Sequence, residues 1–148
     1  MMLKRSLIMV LSVVSVIFLS SFVTQLWLNR NVPSSYDPGI PIQEAFKTSK
    51  TPILVEFYSD TCSTCRRLTP VIHSLYEGRY HNRLTLVMMD VTDPDNRDIA
   101  QLFGVNVLPG IYIFDHKRMK KHAIPPEAFR SEATLTAEMD RILKKLEV

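Results

Sequence analysis

Two cysteines, and only two, occur in this 148-residue chain, and they stand as Cys62-Ser63-Thr64-Cys65 directly after the apolar run from Pro52 to Tyr58. A run of that kind is a strand buried on both faces, and the pair that follows is placed to open a helix. The chain is therefore tied to a strand–turn–helix unit with two sulfurs at the turn. A cysteine at a helix N-terminus meets unsatisfied backbone N–H groups and the positive end of the dipole, so Cys62 is expected to have a lowered pKa and to act as a nucleophile. Cys65, one helical turn on, is near enough to attack a mixed disulfide formed at Cys62.

Zinc would need four ligands, and neither a second C-x-x-C nor an H-x-x-x-H accompanies the pair. The histidines, His73, His81, His116 and His122, stand at no ligand spacing from it. A purely structural disulfide over so short a loop would restrict the unfolded chain little. A redox couple is the reading these residues favour, with a structural disulfide and a metal site as its alternatives.

Residues 7–28 form a 22-residue stretch without a charge, LIMVLSVVSVIFLSSFVTQLWL. It is long enough to cross a bilayer as a helix, and Trp27 stands where an interfacial aromatic belongs. Lys4 and Arg5 precede it, which places the N-terminus in the cytoplasm and the remainder outside. A cleaved signal peptide would have a shorter apolar region ending in small residues, whereas bulky Phe18 and Leu19 precede Ser20 and Ser21. An uncleaved anchor is expected, and either segment exports the domain. The formal charge of +3 comes from Lys4, Arg5 and Arg30 around that segment; the rest carries 15 residues of each sign. Nucleic acid is thus no expected partner. The basic cluster from His116 to His122 reads as a charged hairpin between strands.

Three segments follow: 1–28 as cytoplasmic N-terminus and anchor, 29–41 as a proline-rich extended tether, and 42–148 as one domain. Within the domain, helices are expected at Ile42–Thr48, after the cysteines, after Asp93 up to Gly104, and after Ser131. Strands are expected at Ile53–Tyr58, Leu84–Val91 and Ile111–Phe114, with an edge strand at Met119–Ile124. Leu68, Val71, Ile72, Leu75 and Tyr76 make one helical stripe that contains Pro70, where a kink is expected. Ile99, Ala100, Leu102 and Phe103 make a second, and Leu135, Met139, Ile142, Leu143 and Leu146 a third. The order α-β-α-β-α-β-β-α is an α/β fold: a central mixed sheet of about four strands, covered by helices on both faces.

Glu56 lies inside the buried strand, where a carboxylate is costly unless used or satisfied. Burial should raise its pKa and fit it to take the proton from Cys65; the alternative is a strand-end residue reaching solvent or a lysine. Pro109 interrupts the strand-like stretch Val105–Phe114, and a cis Leu108–Pro109 bond would fit there. Arg66 and Arg67 are expected to be solvated.

Together, ILVEFYSDTCSTC with Pro70 after it, FGVNVLPGIYIF and the capped last helix resemble the thioredoxin superfamily over residues 42–147. The resemblance implies that Cys62 attacks, that Cys65 resolves, and that no cofactor beyond the Cys62–Cys65 disulfide is used. It places Pro109 at the family's cis-proline, Leu108 where the backbone meets an extended substrate segment, and Glu56 at the buried acid. Thr61 stands where most members carry tryptophan, Ser63-Thr64 is an unusual dipeptide, and Gly110 replaces a threonine. The 44 residues from Cys65 to Pro109 leave no room for the larger insertions of periplasmic oxidants or cytochrome-maturation reductases. The domain is most similar to the periplasmic C-terminal domain of bacterial transmembrane thiol:disulfide interchange reductases.

The expected function is a membrane-anchored, extracytoplasmic thiol–disulfide oxidoreductase of a bacterial inner membrane, working as a reductant. Its expected partners are protein disulfides, a membrane electron-donor protein and the bilayer itself through residues 7–28, with the domain a monomer. One alternative is the same fold running as a disulfide-donating oxidant. Another is a non-catalytic partner-binding or copper(I) module using Met88 and Met89.

Overall fold

The computed structural model describes residues 40–147, with Ser15 as an isolated position. The expected anchor at 7–28 and nearly all of the tether at 29–41 lie outside the described residues. Among the described residues no helix is long and apolar enough to cross a membrane.

In chain order the elements are α1 (Ile42–Thr48), β1 (Ile53–Tyr58), α2 (Ser63–Leu75), β2 (Thr85–Asp90), α3 (Arg97–Phe103), β3 (Gly110–Asp115), β4 (Lys120–Ala123) and α4 (Glu132–Leu146). The sheet order is β2-β1-β3-β4. β1 runs parallel to β2 and antiparallel to β3, with Glu56 opposite Met88 on one side and Ile111 on the other. β4 pairs antiparallel with β3 at the edge. The expected α/β order and mixed four-stranded sheet are therefore present.

Strand alternation divides the core into two layers. Leu54, Leu86, Met88, Ile111 and Ile113 pack with Leu68, Ile72 and Leu75 of α2 and with Leu135, Met139 and Ile142 of α4. Ile53, Val55, Phe57, Val87, Met89 and Phe114 pack with Ile42 and Ala45 of α1 and with Ala100 and Phe103 of α3. Helices thus cover both faces, α2 and α4 on one and α1 and α3 on the other. Met88 and Met89 are buried in opposite layers, so the two thioethers cannot converge on one ion.

Local chemistry sets the element ends. Gly104 adopts φ +72 and closes α3, with its N–H donating to the Gln101 carbonyl and that of Val105 to Ala100. This is the Schellman arrangement that a left-handed residue permits. Ser131 caps α4 in a reciprocal box with Thr134. Three details differ from expectation. α2 passes into a π-helical turn, Tyr76–Tyr80, in which buried Tyr80 donates its hydroxyl to Asp140 of α4 at 3.0 Å. Leu102 is 76% exposed, because α3 is two turns long and its apolar stripe is narrower than the sequence pattern. β4 is only four residues long: Met119 has φ 53 in the turn before it, and Pro125 and Pro126 follow soon after. The basic stretch 116–122 is indeed a hairpin. Lys121 caps the last carbonyls of α3 at Leu102 and Phe103, and Arg118 pairs with Asp115.

Candidate active site

The C-terminal end of β1 delivers the chain to the cysteines through a tight turn, in which the Cys62 N–H donates to the Ser59 carbonyl at 3.1 Å. Cys62 is the N-cap of α2 in extended conformation, and Cys65 lies in the helix's first turn. The two are joined as a disulfide, with Cα atoms 5.2 Å apart. The Cys65 backbone N–H donates to the Cys62 sulfur at 3.1 Å, as an N-cap side chain receives a helix's free donors. The sulfurs differ in access: Cys62 is half-buried, whereas Cys65 is 1% exposed.

The Leu108–Pro109 peptide is cis. Because Phe57 pairs with Gly110, this bond lies at the same end of the sheet as the loop carrying Cys62. Pro109 is buried and Leu108 half-buried against the α1/α3 layer. A Cβ at Gly110 would come within 3.2 Å of Val105 Cγ1 and 3.3 Å of Tyr112 Cε2, so a larger residue there would push both side chains back by a few tenths of an ångström.

Glu56 is fully buried, on the face of β1 that meets α2. Its Oε1 accepts from the Thr69 hydroxyl at 2.7 Å, while Oε2 is buried without a partner. Desolvation pushes its pKa up to about 7, against the lowering effect of the Thr69 hydrogen bond. The strand-end alternative, a carboxylate reaching solvent or a lysine, does not hold. Thr69 follows Cys65 by one helical turn, so the acid is tied to the turn of α2 beneath the buried sulfur. Sequence reasoning missed Thr69. The available signal was a hydroxyl between Leu68 and Ile72 on a face otherwise apolar. Tyr58, at the end of β1, is shifted upward by burial and then by Asp90, Asp60 and Glu56. Arg67 is solvated as expected, and Arg66 makes only a long 3.5 Å contact to the Asp60 carbonyl. Among the described residues no group of three or more His, Cys, Asp or Glu side chains could hold a metal ion.

A cysteine pair at the start of a helix, fed by a buried strand and sharing its end of the sheet with a cis-proline, can cycle between dithiol and disulfide. The family model that matches is thioredoxin, over residues 41–141. The chain belongs to the thioredoxin family. Its domain is a thioredoxin-like thiol–disulfide oxidoreductase whose redox group is its own cysteine pair. Among relatives, the chloroplastic thioredoxin-like protein HCF164 of Arabidopsis thaliana is 31% identical over 100 residues, which is 67% of this chain and 38% of that protein. Protein disulfide-isomerase tigA of Aspergillus niger is 31% identical over 106 residues, 72% of this chain and 28% of that one. Thioredoxin 1 of Chlorobaculum tepidum is 27% identical over 94 residues, covering 62% and 90%. The match thus spans well under half of the HCF164 and tigA proteins and nearly all of a free-standing thioredoxin. Of the solved structures, the J-Trx1 fragment of ERdj5 superposes with a TM-score of 0.55 at 24% identity, over 69% of this chain and 48% of that one, and is similar in fold.

Proposed function

We propose that the protein is an extracytoplasmic, membrane-anchored reductant of protein disulfides, with Cys62 attacking and Cys65 resolving. The observation that carries the assignment of roles is the difference in access. A partner's disulfide can reach half-buried Cys62, whereas Cys65, 1% exposed, can meet only its own neighbour. On reduction the Cys65 N–H, 3.1 Å from the Cys62 sulfur, becomes a charge-assisted donor to the Cys62 thiolate, and the N-terminus of α2 adds to the same effect.

In the cycle, the Cys62 thiolate attacks one sulfur of the substrate disulfide and expels the other as a thiolate. The Cys65 thiol gives its proton to the Glu56 carboxylate and attacks Cys62. The second substrate sulfur leaves with the electron pair; of the two protons that make both substrate sulfurs thiols, one returns from Glu56 and the other comes from water. Two electrons have passed to the substrate and the Cys62–Cys65 disulfide remains. A pKa of about 7 leaves Glu56 divided between its two forms near neutrality, as a group that takes and returns one proton requires. Leu108 offers its backbone to the substrate segment, with Pro109 fixing that loop. Turnover in an oxidising compartment needs a donor, which we assign to a membrane protein passing electrons outward. The anchor is the uncharged stretch 7–28 behind Lys4 and Arg5, consistent with a bacterial inner membrane and an exported domain.

Replacing the resolving cysteine tests the mechanism. Cys65→Ala should accumulate mixed disulfides between Cys62 and its substrates, visible as reductant-sensitive adducts on a gel. Adducts that persist in Cys62→Ala/Cys65→Ala, or their absence from Cys65→Ala, would overturn the assignment.

A further inference from the structure

Beside the cysteines lies a groove that the proposed cycle does not use. A cavity of about 180 Å³ opens between α2 and the start of α4. One wall is a single stripe of α2, Thr64, Arg67, Leu68 and Val71, and the other is Phe129 and Arg130 of the 3-10 turn Pro126–Arg130 with the first residues of α4. Thr64, the residue before Cys65, lines its near end, so the groove starts in the first turn of α2 and runs along the helix from there. Its floor is apolar: Leu68 is buried, and Val71 and Phe129 are half-buried.

Its rim is charged and unused. Arg67 and Arg130 are both exposed, and neither makes a hydrogen bond or ion pair with any described residue. Four other arginines are engaged: Arg79 and Arg83 with Asp140, Arg118 with Asp115, Arg141 with Glu138. Glu132 is the only acid lining the groove, and it opens α4, whose N-terminal dipole adds positive potential. The balance is positive over an apolar floor. Thr61, exposed beside Cys62, offers a partner little apolar surface, which leaves selectivity to a neighbouring one.

We infer that this groove selects the partner polypeptide: it receives a segment carrying an acidic residue beside an apolar one, within about three residues of the partner's reactive cysteine. Arg67 lies five residues beyond Cys62, a rise of ~7.5 Å along α2, and an extended segment advancing ~3.3 Å per residue covers that within three residues. The inference rests on the proposed attack by Cys62 and names what that attack selects. The carboxylate draws on two guanidiniums at the rim, and the apolar side chain covers Leu68, Val71 and Phe129.

The test uses the full chain in detergent micelles, reduced and freed of reductant. Three peptides carry a cysteine–thionitrobenzoate mixed disulfide and differ only in having Glu, Gln or Lys two residues from the cysteine. The second-order rate of thionitrobenzoate release is read for each. The Glu peptide should react about three- to tenfold faster than the Gln peptide at low salt, the scale of a partly exposed charge pair. That ratio should collapse toward one in 1 M salt, where the Debye length is ~3 Å. Arg67→Gln/Arg130→Gln should bring the ratio to about one, and Arg67→Glu/Arg130→Glu should turn the preference to the Lys peptide. Lys144→Gln/Lys145→Gln, at the far end of α4, removes the same net charge and should keep the ratio. A wild-type ratio of one overturns the inference, as does a preference that survives the arginine changes or falls equally with the lysine changes. If even the Gln peptide fails to react, the thiol–disulfide reading itself has failed, a result distinct from an unselective but active protein.

Discussion

Glu56→Gln isolates the one buried carboxylate at the centre of the sheet. Its pKa stands at about 7 in the fold against 4.5 for an ordinary glutamate. A carboxyl whose pKa is raised by folding stabilises the native state fully below its unfolded value, and that stability is lost as pH rises toward the folded value. Working the linkage with those two values, ionisation of Glu56 costs the folded state about 1 kcal/mol at pH 5, about 2 at pH 6 and about 3 at pH 8. Glutamine keeps an Oε1 to accept the Thr69 hydroxyl and stays neutral, so the variant mimics the protonated acid at every pH. It should therefore match the parent near pH 4 and exceed it by about 3 kcal/mol at pH 8. The assay is urea unfolding of the oxidised compact unit Ser35–Val148, followed by far-UV circular dichroism between pH 5 and 8.5. With a urea slope of roughly 1–3 kcal/mol/M, the midpoint should rise by about 1–3 M at pH 8. Subtracting the parent curve removes the other groups. His73 is held low by burial and Asp115 low by hydrogen bonds from Arg118 and Lys117, though its own burial opposes them, so both act mainly on the acid side. Parallel stability curves for parent and variant from pH 5 to 8 would refute the reasoning, because they would place Glu56 in a solvated environment.

Thr69→Val removes the one hydrogen bond that opposes desolvation, so the variant's stability, which starts to fall near the same unfolded value of 4.5, should go on falling above pH 7; a fall that ends below pH 7 would show that the hydroxyl does not favour the ionised form. Gly104→Ala forces an L side chain to φ +72 and should cost about 1 kcal/mol in the same assay, whereas Gly78→Ala, with open space and no positive φ, should be neutral or slightly stabilising. Acid quenching of living cells followed by alkylation of free thiols should find Cys62 and Cys65 mostly reduced; a mostly oxidised pair would reverse the proposed direction of electron flow.

The parts of this fold legible in the sequence are those written in period and punctuation. The continuous apolar run of β1 marks a strand buried on both faces, and that pattern placed Glu56 inside before any contact was known. Gly104 and Ser131 marked the ends of α3 and the start of α4 through the φ and the hydroxyl that those positions need. What the sequence did not yield depends on geometry between elements. The sequence shows Thr69 only as a hydroxyl on the apolar face of α2, and its partner appears only when α2 lies across β1. The π-helical turn at Tyr76–Tyr80 likewise has no local signal, and the bond from its Tyr80 hydroxyl to Asp140 on α4 joins residues 60 positions apart. Arg67 and Arg130 are 63 positions apart and read separately as surface charge, yet they border one groove beside Thr64. The division has a physical logic. The cysteine pair sits in one short segment at a helix N-terminus, whose effect reaches only the first turn. Selection of a partner needs a surface, and a surface is assembled from elements that only the fold brings together.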